Sequence, residues 1–309
     1  GTMVDVRGKR HERGLNHRHA EPPRCGQAGE PRHNAGSPTD LPSRPAAALL
    51  QLTSVSQTHM PIEFFGATDT GRARTNNEDS VAVDAHNALA ILADGMGGYN
   101  AGEVASGMAT SFIQTELGRW LSEVGDSATD PEVRRAMDIC VDNANRAIFN
   151  AANANPQYSG MGTTLVVLAF RGTLVLIGHV GDSRAYRLRG GRLMQLTRDH
   201  SLLQEQIDAG LITPEQASFS ANKNLVTRAV GVEDTVLLEI HQHEVHPGDL
   251  LLLCSDGLSD MLDDETLSQL LQGYDSRDEM GAALVAAAND AGGKDNIAVI
   301  LARAPGSPA

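Results

Sequence analysis

Residues 165–195 read LVVLAFRGTLVLIGHVGDSRAYRLRGGRLMQ, and this stretch decides the fold class. Its apolar runs at 165–170 and 174–180 are separated only by Arg171-Gly172-Thr173, and Gly190-Gly191 divides two further strand-like segments. Connections this short join antiparallel neighbours, because parallel strands need a crossover of about a dozen residues or more. The stretch therefore predicts consecutive antiparallel hairpins.

Several predicted strands are apolar at every position rather than at alternate ones. Residues 165–168, 250–253 and 297–301 show this pattern, which is typical of strands covered on both faces. Helical i, i+3, i+4 spacing marks one helix around 104–112 and another over 133–148. We therefore predict an α+β fold in which an antiparallel β-sandwich is flanked by helical layers. The predicted strands are 62–68, 88–93, 165–170, 174–180, 185–189, 192–195, 236–243, 250–254 and 297–302.

The composition excludes several classes of protein. The 309 residues are 41% hydrophobic and 21% charged, which is enough apolar material for a sizeable core. The formal net charge is −14, so binding to nucleic acid or to an anionic membrane is not expected. The three cysteines form no CxxC pair and predict neither a disulfide framework nor a zinc site. No apolar run reaches about 18 residues, so no membrane-spanning helix is predicted.

Residues 1–60 differ from the remainder of the chain. They hold eight Lys/Arg against five Asp/Glu and little apolar sequence, so they are predicted to be a disordered tail. Gly1-Thr2 resembles a cloning remnant, and Met60 is a candidate natural start. The predicted folded domain covers residues 61–304, and a short tail follows at 305–309.

Five acidic motifs lie where predicted strands meet turns. Any one of them is typical of an ordinary turn, but together they gather like charges that repel unless cations neutralise them. All the donors are oxygen atoms, which favours Mg²⁺ or Mn²⁺. Arg74 is suited to binding two phosphate oxygens, so the set indicates hydrolysis of a phosphate ester by a metal-activated water. The motifs are RTNNED at 74–79, DGMGG at 94–98, GDSR at 181–184, SDG at 255–257 and KDN at 294–296.

These motifs occur together with others in the order found in one family of enzymes. Over about residues 62–302 the chain resembles the metal-dependent protein serine/threonine phosphatases of the PP2C (PPM) family, bacterial branch. The resemblance implies a hydrolase that removes phosphate from phosphoserine and phosphothreonine in proteins and so opposes a Ser/Thr kinase. The further motifs are TDTG at 68–71, GMGTT at 160–164, TRDHS at 197–201, ITPE at 212–215 and DNI at 295–297.

The resemblance also implies roles for individual residues. Asp94 would bridge two tightly bound Mn²⁺ or Mg²⁺ ions, and the Gly95 carbonyl would bind one of them. Asp256 and Asp295 would bind the other ion. Glu78 and Asp79 would hold metal-bound waters, and Asp182 with Asp256 would bind a third and weaker ion. Arg74 would bind the substrate phosphate. Residues 196–235 would form a flap beside the site.

The chain departs from the family pattern at the general acid. Animal members have a His directly after the Asp-Gly pair, where this chain has Met96. His179 and a metal-bound water are the alternatives for the proton donor, whereas His200 is expected to make structural hydrogen bonds at the base of the flap. Residues 218–221 read SFSA in place of the stretch usual in relatives, which puts a serine ligand for the third ion in doubt.

A second function, from a different class, is a catalytically weak regulator that binds phosphoproteins. It would require a missing metal-binding aspartate, whereas Asp94, Asp256 and Asp295 are all present. P-loop phosphoryl transfer would require a GxxxxGK[ST] run, which the sequence lacks. We expect a monomeric cytoplasmic enzyme whose partners are phosphorylated proteins, including a Ser/Thr kinase and its substrates, with no nucleic acid or membrane partner.

Overall fold

The computed structural model describes residues 62–98, 101–217 and 225–305. The predictions made for residues 1–60, for 218–221 and for most of the short tail at 305–309 lie outside this part of the chain. Within the described part, every helix is too short or too polar to cross a membrane.

The strands of the described part form two antiparallel sheets. Their bounds are β1 (Glu63–Asp69), β2 (Asp79–Asp84), β3 (Leu89–Met96), β4 (Gly162–Thr163), β5 (Leu165–Arg171), β6 (Leu174–Val180), β7 (Arg184–Arg189), β8 (Arg192–Gln195), β9 (Glu239–Glu244), β10 (Leu250–Cys254) and β11 (Ile297–Arg303). The first sheet has the order β1-β11-β10-β7-β8. The second has the order β2-β3-β5-β6-β9, and β4 pairs with β3 at its end.

Helices pack on both sheets. Their bounds are α1 (Ala101–Val124), α2 (Asp130–Ala154), α3 (Leu202–Asp208), α4 (Pro214–Ala217), α5 (Asp256–Ser259), α6 (Asp264–Gln272) and α7 (Arg277–Asp290). The short α3 and α4 are the exception, because they pack on each other. The long helices α1 and α2 pack together and α1 lies on β2 and β3, whereas α7 lies on β1 and β11. The start of α2 is capped by the Glu132 carboxylate, which accepts hydrogen bonds from the Thr129 amide and hydroxyl at 2.8 Å each.

Side-chain alternation explains why the central strands are apolar at every position. In β3, Leu89 and Ile91 pack towards α1 and α2, while the alternate residues Ala90 and Leu92 lie between the two sheets. In β10, Leu251 faces the same inner layer, and Leu252 faces the helices of the first sheet. Successive residues of a strand point to opposite faces, so a strand at the centre of four layers must be apolar throughout. The predicted β-sandwich flanked by helical layers is confirmed.

Strand boundaries differ from prediction at several points. The prediction missed β2 and β4, because β2 carries an aspartate at each end and small residues between, and β4 has only two residues. β3 continues to Met96 rather than ending before the DGMGG motif, because β2 and β4 pair with its last residues. β9 begins at Glu239 rather than at residue 236, since its ladder with β6 begins at the pair His179 and Glu239.

Candidate metal centre

The register of β2 and β3 brings two of the predicted acidic residues face to face. Asp79 is the direct partner of Asp94 across this antiparallel pair. One residue further, the Gly95 amide donates a hydrogen bond to the Glu78 carbonyl at 3.0 Å. The RTNNED and DGMGG motifs therefore lie together at one end of the second sheet.

The main chain of Asp94 is fixed by neighbouring threonines. Its amide donates to Thr164 Oγ1 at 3.0 Å, and its carbonyl accepts from the Thr164 amide at 2.8 Å and from Thr163 Oγ1 at 2.9 Å. The Thr164 hydroxyl also shares a hydrogen bond with the Ser183 hydroxyl, with 2.7 Å between the two oxygens. This chain of bonds links Asp94 to the turn that carries Asp182.

Glycine is required where β3 meets α1. A Cβ on Gly95 would overlap the carbonyl oxygen of Gly102, in the first turn of α1. A Cβ on Gly102 would lie 2.7 Å from the carboxyl carbon of Glu78. The first turn of α1 therefore packs directly against Gly95 and Glu78.

The first sheet contributes its residues from the ends of β10 and β11. Ser255 follows β10, and its Oγ donates to Asp79 Oδ2 at 2.8 Å. Ser255 Oγ also accepts a hydrogen bond from the Ala298 amide at 2.9 Å. Asp256 is the first residue of α5. A Cβ on Gly257 would overlap the carbonyl oxygen of Asn296, so this turn needs glycine for the close approach of α5 to the start of β11. Residues of both sheets thus meet at one edge of the sandwich.

Asn296 belongs to the KDN motif but has no predicted role of its own, and it proves to be a residue of this site. Its side-chain amide donates to the carbonyls of Thr70 at 3.0 Å and Asn76 at 2.8 Å. Its Oδ1 accepts from the Glu78 amide at 2.8 Å, and the residue is buried. Asn296 therefore holds the loop between β1 and β2, which carries Arg74.

Arg74 forms an ion pair with one of the predicted ligands. Its guanidinium contacts Asp295 Oδ2 at 2.6 Å, and Asp295 Oδ1 accepts from the Asn296 amide at 2.8 Å. The Arg74 side chain is half exposed, and an exposed pair contributes only about 0–1 kcal/mol. The Arg74 guanidinium can therefore leave Asp295 and bind a phosphate group at little cost in free energy.

Burial dominates the electrostatics of the cluster. It raises the pKa of Asp94 and of Asp256 well above the ordinary range, and repulsion from Asp79 on Asp94 and from Asp182 on Asp256 adds to the shift. Burial likewise raises the pKa of Asp79 to about 7 and that of Asp182 to about 6. It also raises the pKa of Glu78, against the opposing effect of Arg74. The neighbouring positive charge therefore does not neutralise the carboxylates of the cluster, which repel one another.

The residues fit a divalent cation. Asp79 Oδ1 is buried and has no hydrogen-bond partner among the described residues, so a strong acceptor is left unsatisfied beside Asp94. The converging donors are carboxylate and carbonyl oxygens, the set that hard ions such as Mg²⁺ and Mn²⁺ prefer. The structure brings the predicted site residues close to one another; they are Arg74, Glu78, Asp79, Asp94, Gly95, Asp182, Asp256 and Asp295.

A second polar cluster lies beside the Asp182 turn. His200 Nδ1 accepts from the Gly181 amide at 3.1 Å, so its proton is on Nε2, which faces Glu239 Oε2 at 3.1 Å. His179 is buried, stacks on the His200 ring and hydrogen-bonds the Arg198 carbonyl through Nε2 at 2.8 Å. Ligand atoms of His179, His200 and Glu239 lie within 4.8 Å of one another, but a protonated His200 Nε2 is no metal donor. The structural role predicted for His200 is confirmed.

Known proteins resemble this chain over most of its length. A family model described as protein phosphatase 2C matches residues 69–302. The serine/threonine protein phosphatase PstP of Mycobacterium tuberculosis is 38% identical over 244 residues, which are 78% of this chain and 45% of that protein. The chain thus spans about half the length of that relative. The serine/threonine phosphatase stp of Listeria welshimeri is 38% identical over 76% of this chain and 92% of its own length.

A solved structure supports the same comparison. The catalytic domain of a serine/threonine protein phosphatase PstP, solved in complex with two manganese ions, aligns with a TM-score of 0.67 and 37% identity. The alignment covers 79% of this chain and 98% of that one.

Proposed function

Because the chain belongs to the protein phosphatase 2C family, whose matched members are serine/threonine protein phosphatases, we propose that it hydrolyses phosphoserine and phosphothreonine in proteins. The observation that carries the proposal is the meeting of Asp79 and Asp94 with Asp256 and Asp295 at one edge of the sandwich. The phosphatase is favoured over the phosphoprotein-binding regulator, because the matched relatives carry the name of phosphatases and the aspartates are present.

The proposed cofactor is a pair of Mn²⁺ or Mg²⁺ ions with a third, weaker ion. Asp94, Asp256, Asp295 and the Gly95 carbonyl would hold the pair, and Asp182 with Asp256 would hold the third. Such ions supply charge stabilisation to a phosphoryl group and make water more acidic. Manganese in a related catalytic domain and the all-oxygen donor set support this assignment.

The chain's own residues have distinct proposed tasks in the reaction. Arg74 binds the phosphate oxygens after leaving Asp295, and Asn296 keeps its loop in place. Asp79 Oδ1 is the free acceptor that can hold a proton of a water in the site, while Ser255 fixes the carboxylate through Oδ2. Glu78 is held over the first turn of α1, where it would orient a second water.

The proposed partners follow from this chemistry. They are phosphorylated proteins, among them a Ser/Thr kinase and its substrates. A monomeric state and a cytoplasmic location stay predictions.

Phosphate release from a phosphothreonine peptide tests the proposed function. We expect release with Mn²⁺, loss of release in EDTA and recovery when Mn²⁺ is restored. Asp94→Asn should abolish release, whereas Asp138→Asn, a matched change of an exposed carboxylate on α2, should not. Full release in EDTA, or an active Asp94→Asn variant, would contradict the metal mechanism.

A further inference from the structure

A groove of about 930 Å³ lies next to the metal centre and uses none of the proposed metal ligands. It runs between the first half of α1 and the turn after α2. We call it the α1 groove; it is lined by Gly98, Glu103, Val104, Gly107, Met108 and residues 156–159.

The floor of the α1 groove is apolar and one end is acidic. Val104, Met108 and Tyr158 are partly buried and pack on the core beneath α1 and α2. Glu103 is exposed, and its carboxylate makes no ion pair with any described residue. The groove therefore suits a ligand that carries an apolar side chain next to a positive charge.

The α1 groove lies close to the metal centre. Gly98 follows Asp94 by four residues, so the two Cα atoms are at most roughly 14 Å apart. The first turn of α1, which includes Glu103, packs on Gly95 and Glu78. The charge of Glu103 also contributes to raising the pKa of Glu78, which agrees with their proximity. From Glu103 to Met108 the groove follows α1 for about 7.5 Å.

We infer that the α1 groove binds the polypeptide segment that flanks the phosphorylated residue, with an apolar side chain against Met108 and Tyr158 and a Lys or Arg beside Glu103. This inference rests on the proposed phosphatase function. A flank of three or four extended residues reaches about 10–14 Å from the phosphorylated residue, which spans the distance from the metal centre to the groove. The net charge of −14 favours a basic substrate segment over an acidic one.

Gly107 offers a direct way to fill the groove. It lies inside α1, and a Cβ built on it meets no atom within 4 Å. Gly107→Leu therefore adds apolar volume to the groove at a position where the Cβ has open space, and it does not weaken the helix. Gly107→Ala is the matched control, because it gives the same helical benefit with little added volume.

The decisive measurement is a ratio of two activities in one variant. We compare kcat/KM for a phosphothreonine peptide with a Leu and an Arg in its flank against kcat/KM for p-nitrophenyl phosphate, which has no flank. In Gly107→Leu this ratio should fall about tenfold relative to the wild type, equivalent to about 1.4 kcal/mol, and it should fall much less in Gly107→Ala. An unchanged ratio in Gly107→Leu overturns the inference. If that variant instead changes the molar mass in solution with the ratio unchanged, the groove is a contact between copies and the inference is equally wrong.

The acidic end is tested by charge. Glu103→Gln should lower the preference for the Arg-containing peptide over its Gln-containing counterpart at least about threefold at low salt. Glu123→Gln, at the far end of the same helix, should leave this preference unchanged. Equal preferences in wild type and Glu103→Gln would remove the basic side chain from the inference. Absence of wild-type activity on both the peptide and the small ester would instead refute the proposed function, so the two failures are distinguishable.

Discussion

Replacement of Asn296 by alanine tests whether this residue, which is distant in sequence, holds the loop that carries Arg74. The variant removes hydrogen bonds to the carbonyls of Thr70 and Asn76 and from the amide of Glu78. Each such bond contributes about 0.5–1.5 kcal/mol, so the three together amount to about 1.5–4.5 kcal/mol. At about 2–4 °C per kcal/mol for a domain of this size, a loss near 3 kcal/mol lowers Tm by about 6–12 °C.

The same variant should weaken substrate binding. The loop that carries Arg74 must be ordered when phosphate binds, and ordering a released residue costs about 1–2 kcal/mol. KM for a phosphopeptide should therefore rise about tenfold.

Guanidinium unfolding and phosphopeptide kinetics measure both effects of Asn296→Ala. Asn289→Ala is the matched control, because Asn289 is also buried but its side chain makes a single described hydrogen bond, to Asp69 at 3.0 Å. The control should lose about 1 kcal/mol and keep its KM. If Asn296→Ala loses no more stability than Asn289→Ala and its KM is unchanged, Asn296 does not hold the Arg74 loop.

Three further predictions concern the charged groups of the site. Arg74→Ala should raise KM for a phosphopeptide by about 10–100-fold, because a charge-assisted hydrogen bond worth about 1.5–3 kcal/mol is lost. Mn²⁺ binding measured by calorimetry should persist in this variant. An unchanged kcat/KM would show that Arg74 does not bind the phosphate. Asp182→Ala should lose one weak Mn²⁺ site, and its kcat should fall about 10²-fold or more if that ion supplies general-acid catalysis. Asp94→Asn should instead lose the tight sites. Loss of the tight sites in Asp182→Ala would contradict a separate third site. The raised pKa of Asp79, about 7, means that the metal-free folded state binds more protons than the unfolded state, so its stability should fall as pH rises from about 4 to 7. In EDTA this decline should be smaller in Asp79→Asn than in the wild type, and equal slopes in a denaturation series would show that Asp79 is not responsible.

The sequence predicted the parts of the fold that depend on burial alone. β10 has the predicted bounds, Leu250–Cys254, because an uninterrupted apolar run requires cover on both faces. β2 was missed, because its short Val and Ala pattern between two aspartates becomes a strand only through its pairing with β3. Strand partners are a tertiary property, and residue propensity does not contain them.

The candidate site was predictable as a set of residues but not as an arrangement. The acidic motifs were recognisable by their positions at strand ends and by family resemblance. The ion pair of Arg74 with Asp295 and the hydrogen bonds of Asn296 connect residues more than 200 positions apart, so no local sequence pattern predicts them. The partnership of Asp79 with Asp94 depends on strand register, which a shift of one residue would destroy.

Because residues of two sheets meet at the candidate metal centre, the packing between the sheets sets the distances among its carboxylates. Asp94 lies in β3 of one sheet, whereas Asp256 and Asp295 lie just beyond the ends of β10 and β11 of the other, so a sliding of one sheet past the other would alter the separation of their carboxylates. The side chains between the sheets, such as Ala298, resist that sliding through close packing. Metal affinity is therefore mechanically tied to residues that touch neither ion nor substrate. A methyl group added deep in the sandwich should therefore lower the affinity of the proposed metal site without changing any residue at the surface.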